Sequence, residues 1–201
     1  IVCGYPNVGK SSFMNKITRA DVDVQNYPFT TQSLFLGHMD YRFVRFQVID
    51  TPGVLDRPLE DRNTIEMVAI TALAHLKAGI LYFVDISEEC GHSIDSQLDL
   101  FDSICPLFSN KPLMIVMTKT DLVKPEDLTK EVKARFKSLE DKKVNIGSMS
   151  TLMEDGVMDV RNNMCDVLLE QRMENNMRSA HFKSILNRMH VAVPQKRDNR
   201  S

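Results

Sequence analysis

The run Gly4-Tyr5-Pro6-Asn7-Val8-Gly9-Lys10-Ser11 constrains this chain more than any other feature of it. A glycine, four free positions and then Gly-Lys-Ser make a loop whose backbone N–H groups converge on phosphate oxygens. Gly4 and Gly9 permit the tight turn, Lys10 brings positive charge to the outer phosphates, and Ser11 offers a hydroxyl to an accompanying magnesium ion. The loop needs a helix directly after it, because the helix start adds its own amides and positive end to the same anion. Ile1-Val2-Cys3 reads as the end of a strand, and Ser12-Phe13-Met14-Asn15-Lys16-Ile17 continues with helical spacing. The same residues in isolation also describe a glycine-containing turn before a helix. The strand–loop–helix setting favours a nucleotide site in which Gly4, Asn7, Val8, Gly9, Lys10, Ser11 and Ser12 meet the phosphates.

Beyond the loop, helical and extended patterns alternate. Residues 20–32 carry Asp21, Asp23, Asn26, Pro28 and two threonines and read as a switching loop. Residues 33–50 read as two strands joined near Met39-Asp40, and 63–77 as a helix with Ile65, Ala69, Ala72, Leu73 and Leu76 on one face. Gly79–Val84 and Leu113–Met117 are continuous apolar runs of the kind buried in a parallel sheet. Helices are predicted over 93–104, from Pro125 to about Leu139, and over 154–177, with a weaker strand at Val144-Asn145-Ile146. This alternation predicts an α/β fold: a doubly wound, mostly parallel six-stranded sheet with helices on both faces and a truncated first strand. A first strand of about five or six residues is usual, so a phosphate loop beginning at residue 4 leads us to expect a piece of a longer protein.

Composition narrows the class. Apolar residues at 43% and charged residues at 26% suit a globular core, and no apolar run reaches the ~20 residues of a membrane span. Cys3, Cys90, Cys105 and Cys165 are scattered without a C-x-x-C pair, which predicts a reducing compartment and no structural zinc. Cys90-Gly91-His92 reads as a loop turn in preference to a metal site. The net charge of −2 hides a division: residues 1–170 hold 18 Lys/Arg against 25 Asp/Glu, and residues 171–201 hold 7 against 2. We therefore divide the chain into a nucleotide-binding domain, 1–170, and a basic, helical extension, 171–201. Such an extension suits an anionic partner such as nucleic acid, or equally a solvated helix face.

Three further motifs bear on the nucleotide. Asp50-Thr51-Pro52-Gly53 follows the second strand of the pair, where an acidic residue holds magnesium through water and Gly53 brings a backbone N–H to the terminal phosphate. Thr118-Lys119-Thr120-Asp121 closes a buried strand and resembles the Asn-Lys-x-Asp element of G proteins. Two carboxylate oxygens on Asp121 match guanine N1–H and the N2 amino group, a donor pair that adenine lacks. Lys119 can lay its aliphatic stem across the ring. Thr118 departs from the usual asparagine, so weaker base affinity with retained specificity is expected. Ser150-Thr151-Leu152 resembles the Ser-Ala-Lys element, whose backbone N–H meets guanine O6.

With these elements in order, the chain resembles the Obg-like branch of the translation-factor-class P-loop GTPases, whose signature matches Tyr27-Pro28-Phe29-Thr30-Thr31. Gly37-His38-Met39-Asp40-Tyr41, the stretch from Leu59 through Met67 to Leu76, Cys90-Gly91-His92 and Leu186-Asn187-Arg188-Met189-His190 resemble the nucleolar GTP-binding protein 1 (Nog) family more specifically. That resemblance implies a GTP-binding switch and slow GTPase in the nucleolus and nucleus, monomeric and off the membrane. Its implied partners are pre-ribosomal large-subunit particles, with their rRNA and assembly proteins. It implies GTP or GDP with Mg2+, held by Ser11, Thr31 and, through water, Asp50. Thr31 is preferred over Thr30 because related G proteins with a single threonine keep it second. The implied catalytic set is Lys10, Thr31, Gly53 and Asn7, the last matching the asparagine of potassium-activated G proteins and so a K+ ligand. Val54 stands where Ras-like proteins carry a water-orienting glutamine. Two alternatives stay open: a non-hydrolysing, nucleotide-gated scaffold on pre-ribosomes, and a cytoplasmic Obg-like translation GTPase.

Overall fold

Among the described residues, seven strands form one sheet in the order β2-β3-β4-β1-β5-β6-β7. The computed structural model describes residues 1–18, 23–25, 34–53, 55–56, 64–142 and 144–178. The strands are β1 (Val2–Cys3), β2 (Asp23–Gln25), β3 (Leu34–Tyr41), β4 (Val44–Asp50), β5 (Ile80–Asp85), β6 (Leu113–Thr118) and β7 (Asn145–Ser148). Between them lie α1 (Lys10–Ile17), α2 (Thr64–His75), α3 (Ile94–Ile104), α4 (Lys130–Asp141) and α5 (Val157–Arg178). β1 pairs in parallel with β4 and β5, β5 with β6, and β6 with β7, while β2–β3 and β3–β4 are antiparallel. The doubly wound, mostly parallel sheet is as expected. Its seventh member, β2, is a short edge strand within the segment read as a loop.

The apolar runs are continuous because both faces of the sheet are covered. Along β5, Ile80, Tyr82 and Val84 enter a core with α2, α3 and α4, while Leu81 and Phe83 enter a second core with α1 and α5. Side chains alternate faces along a strand, so a sheet buried on both sides leaves no position for a polar residue in its centre. Phe13 of α1 packs edge-on against Phe83, and Tyr82 packs edge-on against Phe101 of α3. Arg135 of α4 pairs with Asp95, Asp99 and Asp102 of α3 and ties these neighbouring helices at their exposed edges.

Three boundaries differ from the sequence expectation. The β3–β4 turn falls at Arg42-Phe43, not Met39-Asp40: Tyr41 pairs with Val44, and both loop residues have positive φ, 46° and 64°. Two-residue hairpin loops favour that backbone because its twist matches the strands. The usual Asn-Gly signal is absent here, and tertiary contacts hold the turn. Arg42 lies over the Tyr41 ring at 5.1 Å and pairs with Asp166 of α5 at 2.9 Å. Pro125 opens a single 3-10 turn, Pro125–Asp127, and α4 starts later, where the Thr129 hydroxyl accepts from the Val132 N–H. α5 starts at Val157, after Gly156 at φ 69°, where a Cβ would collide with the Ser148 carbonyl. It then carries without interruption past residue 170 to Arg178.

A cavity of about 710 Å³ lies at the N-terminal ends of the central strands, lined by Ile1, Val44, Phe46, Gly79, Leu168 and Arg172 among others. Among the described residues, no helix is long and apolar enough to cross a membrane.

Candidate functional site

The chemistry-bearing motifs gather at the other end, along the C-terminal edge of the parallel strands. β1 delivers Gly4–Gly9, β4 delivers Asp50–Gly53, β6 delivers Thr118–Asp121, and β7 delivers Ser150–Leu152. In an open parallel sheet that edge is where ligands bind.

The phosphate loop turns through Gly4 at φ 130°, Asn7 at 62° and Gly9 at 94° before α1 begins at Lys10. A side chain on Gly4 would place its Cβ 2.6 Å from the Phe83 carbonyl oxygen, so backbone proximity as well as φ requires glycine. Val8 is buried, whereas Asn7, Ser11 and Ser12 face outward. Lys10 is buried; its ammonium donates to the carbonyls of Gly4 at 2.9 Å and Tyr5 at 2.7 Å. Burial pulls its pKa below the ordinary lysine value, an effect that the nearby Asp50 carboxylate opposes. A phosphate beside it would oppose that burial cost further.

Ser11 donates its hydroxyl to Asp50 Oδ2 at 2.7 Å. Asp50 is 1% exposed, and its Oδ1 has no hydrogen-bond partner among the described residues. A buried carboxylate oxygen left unpaired is costly unless a ligand satisfies it. An outward serine hydroxyl beside that oxygen is a hard, anionic donor set, which fits Mg2+ carrying several of its own waters. Gly53, at φ 70°, closes the same strand end, and the Gly4 N–H donates to the Leu55 carbonyl at 3.3 Å. Thr31, and with it Thr30 and Val54, lies outside the described residues.

At the other half of the edge, the Ser150 hydroxyl donates to Asp121 Oδ1 at 2.5 Å and accepts from the Met153 N–H at 3.1 Å. Asp121 and Ser150, separated by 29 residues, are thus one unit, and the Asp121 carboxylate is held by one oxygen with the rest of its acceptor capacity outward. Thr118 is buried at the strand end, where its hydroxyl donates to the Val84 carbonyl at 3.2 Å. Thr151 is half-buried and Leu152 exposed, beside this unit. Lys119, at φ 58°, directs its ammonium to Asp85 at 2.8 Å and Glu89 at 3.2 Å.

Asp85 was not singled out in the sequence, nor was the contact between Tyr5 and His92, whose rings stack with centroids 4.0 Å apart. One signal pointed to Asp85: it is a carboxylate closing an otherwise wholly apolar strand, and it sits in register with Thr118. Burial raises the Asp85 pKa, but donors from Lys119, Ser87 and Cys90 outweigh it and leave the carboxyl below its ordinary value. Cys90-Gly91-His92 is a turn, with the Gly91 N–H donating to the Glu88 carbonyl at 3.0 Å.

This architecture is that of the P-loop GTPase G domain. It matches the G domain of the T. maritima FeoB iron transporter with a TM-score of 0.62 over 82% of this chain and 94% of that one, at 20% identity, a likeness of fold. The closer likenesses are of another kind. The profile described as nucleolar GTP-binding protein 1 (NOG1) matches residues 64–121. Nucleolar GTP-binding protein 1 of Drosophila melanogaster is 58% identical over 100% of this chain and 31% of its own length; that of Arabidopsis thaliana is 55% identical over 99% and 31%. A Plasmodium falciparum crystal structure carrying the same protein name matches with a TM-score of 0.79 and 42% identity over 93% of both chains. The chain belongs to the nucleolar GTP-binding protein 1 family. It spans about a third of the length of the curated relatives it matches.

Proposed function

We propose that this chain is the switch domain of a slow GTPase that acts in assembly of the large ribosomal subunit. The observation that carries the guanine reading is the Ser150–Asp121 hydrogen bond, which fixes a carboxylate on the same strand-end edge as the Ser11–Asp50 pair. In this reading Asp121 accepts from guanine N1–H and N2–H, Lys119 covers the ring, and the backbone from Ser150 to Leu152 meets O6. Lys10 and the loop amides hold the phosphates. Ser11, Thr31 and, through water, Asp50 would hold Mg2+, which would supply charge neutralisation at the outer phosphates.

Val54 has no group that orients water, so slow intrinsic turnover follows; the outward Asn7 carboxamide would hold K+, which would supply positive charge beside the phosphates. The family name and the basic residues 171–201 support a nucleolar location and partners among pre-ribosomal large-subunit particles, their rRNA and assembly proteins, which the domain meets as a monomer. Val54 also favours a second reading, a nucleotide-gated scaffold that does not hydrolyse. Single-turnover GTP hydrolysis with and without pre-ribosomal particles separates the two.

The guanine reading is tested by Asp121→Asn, which exchanges an acceptor for a donor and is expected to move preference from GTP toward xanthosine triphosphate. Unchanged GTP affinity would mean the base sits elsewhere. Hydrolysis measured in KCl and NaCl, for the natural chain and for Asn7→Ala, tests the cation. Equal rates in all four measurements would remove K+ from the scheme.

A further inference from the structure

Among the interactions near the site, the most heavily bonded group is one for which the proposed chemistry has no use. Asp85 is fully buried, and both of its carboxylate oxygens are engaged. Oδ1 accepts from the Ser87 N–H at 2.9 Å and the Ser87 hydroxyl at 2.6 Å; Oδ2 accepts from the Cys90 N–H at 2.9 Å and pairs with Lys119 at 2.8 Å. Three of these donors are neutral, two backbone N–H groups and a hydroxyl, and leave the carboxylate charge unopposed. A buried negative charge is costly to desolvate unless a cation faces it, and the cation here is the lysine that covers the nucleotide ring in our reading.

The segment that leaves Asp85 returns to the phosphate loop. After the turn at Gly91, the His92 ring stacks on Tyr5, the second residue of that loop, at 4.0 Å with a 26° interplanar angle. Gln97 of α3 holds both ends of the segment. Its Oε1 accepts from the Asp85 N–H at 2.7 Å, and its Nε2 donates to the carbonyls of Asp85 and His92, each at 3.0 Å. Glu88 meets the Ile94 N–H at 2.8 Å, so the segment is also fastened to the start of α3.

We propose that residues 85–93 form a positioning strap for the nucleotide site: Asp85 sets Lys119 against the base, and His92 braces the phosphate loop through Tyr5. The inference rests on the guanine-nucleotide reading given above. The strap joins base and phosphate subsites that the sheet keeps on separate strands, and it works by fixing two binding elements without touching the reacting atoms. Asp85 and His92 are therefore positioning residues.

The test is the dissociation rate of a fluorescent GDP from the full-length protein. Asp85→Asn keeps shape and removes the charge, and dissociation is expected to accelerate roughly tenfold, the scale of one charge-assisted hydrogen bond. In a Lys119→Met background the same substitution is expected to add nothing, since its effect passes through Lys119. Additive effects in that double variant would overturn the link, because a general loss of rigidity would add. His92 is exposed, so its replacement spares the core. His92→Ala is expected to accelerate release about threefold, and His92→Phe, which keeps the stack, to restore it. Natural release rates in His92→Ala, or in a folded Asp85→Asn, would sink the strap. A natural chain that bound no guanine nucleotide would instead overturn the underlying reading.

Discussion

Asp50 and Ser11 show what a residue pair accomplishes when burial and exposure meet at a strand end. One oxygen of Asp50 is tied down by Ser11, which leaves the other aimed by the fold and unpaired among the described residues. A group that holds magnesium through water acts as an outer partner, and loss of such a partner costs roughly 10–100-fold in metal affinity. Asp50→Asn is therefore expected to weaken Mg2+ in the nucleotide complex by that factor and to flatten the Mg2+ dependence of GDP affinity. A magnesium titration of GDP binding measures both. An unaltered titration would show that the carboxylate charge plays no part in holding the metal. Asp50, Lys10, Ser11 and Asp121 could be nominated from the sequence as candidates, because each sits at a fixed offset in a short motif. Asp85 was not, because its meaning depends on Lys119, 34 positions away in the chain and adjacent only across the β5–β6 register.

At the scale of elements, patterning placed the central strands well, since an apolar run buried on two faces has few other solutions. It misplaced turns and helix starts, where the deciding contacts are distant. The Arg42-Phe43 turn depends on Asp166 of α5, and the start of α4 depends on the Thr129 cap and not on Pro125. The α3–α4 contact is decided the same way. Asp95, Asp99 and Asp102 repeat along one edge of α3, and Arg135 of α4 pairs with all three. These are surface pairs with a guanidinium about one-third exposed, so solvent screens them and their worth is modest. Arg135→Ala is expected to cost about 1 kcal/mol in urea unfolding at low salt. The loss should shrink at about 1 M salt, where charges more than ~3 Å apart are screened. A cost independent of salt would assign the effect to packing of the arginine stem.

At the scale of the molecule, the charge division noted in the sequence meets the acidic domain at α5, which runs to Arg178. The basic residues beyond it lie outside the described residues, and their charge suits an anionic partner. If they contact RNA phosphates, changing Lys183, Arg188, Lys196 and Arg197 to glutamine should reduce the log–log salt slope of single-stranded RNA binding by up to roughly 3, at about 0.7 per contact. An unaltered slope would show that the extension leaves phosphates alone. The sequence by itself determined the class of fold and nominated the phosphate loop, Ser11 with Asp50 and Asp121 as site candidates, because these follow from local spacing and from alternation of apolar runs. Only the tertiary structure decided which side chains fix those groups in place: Ser150 on Asp121, Asp85 on Lys119 and His92 on Tyr5. The reason is physical. A phosphate loop is built from consecutive backbone amides, which sequence order dictates, whereas the contacts that hold lysine, carboxylate and ring in position cross between strands that only folding brings together.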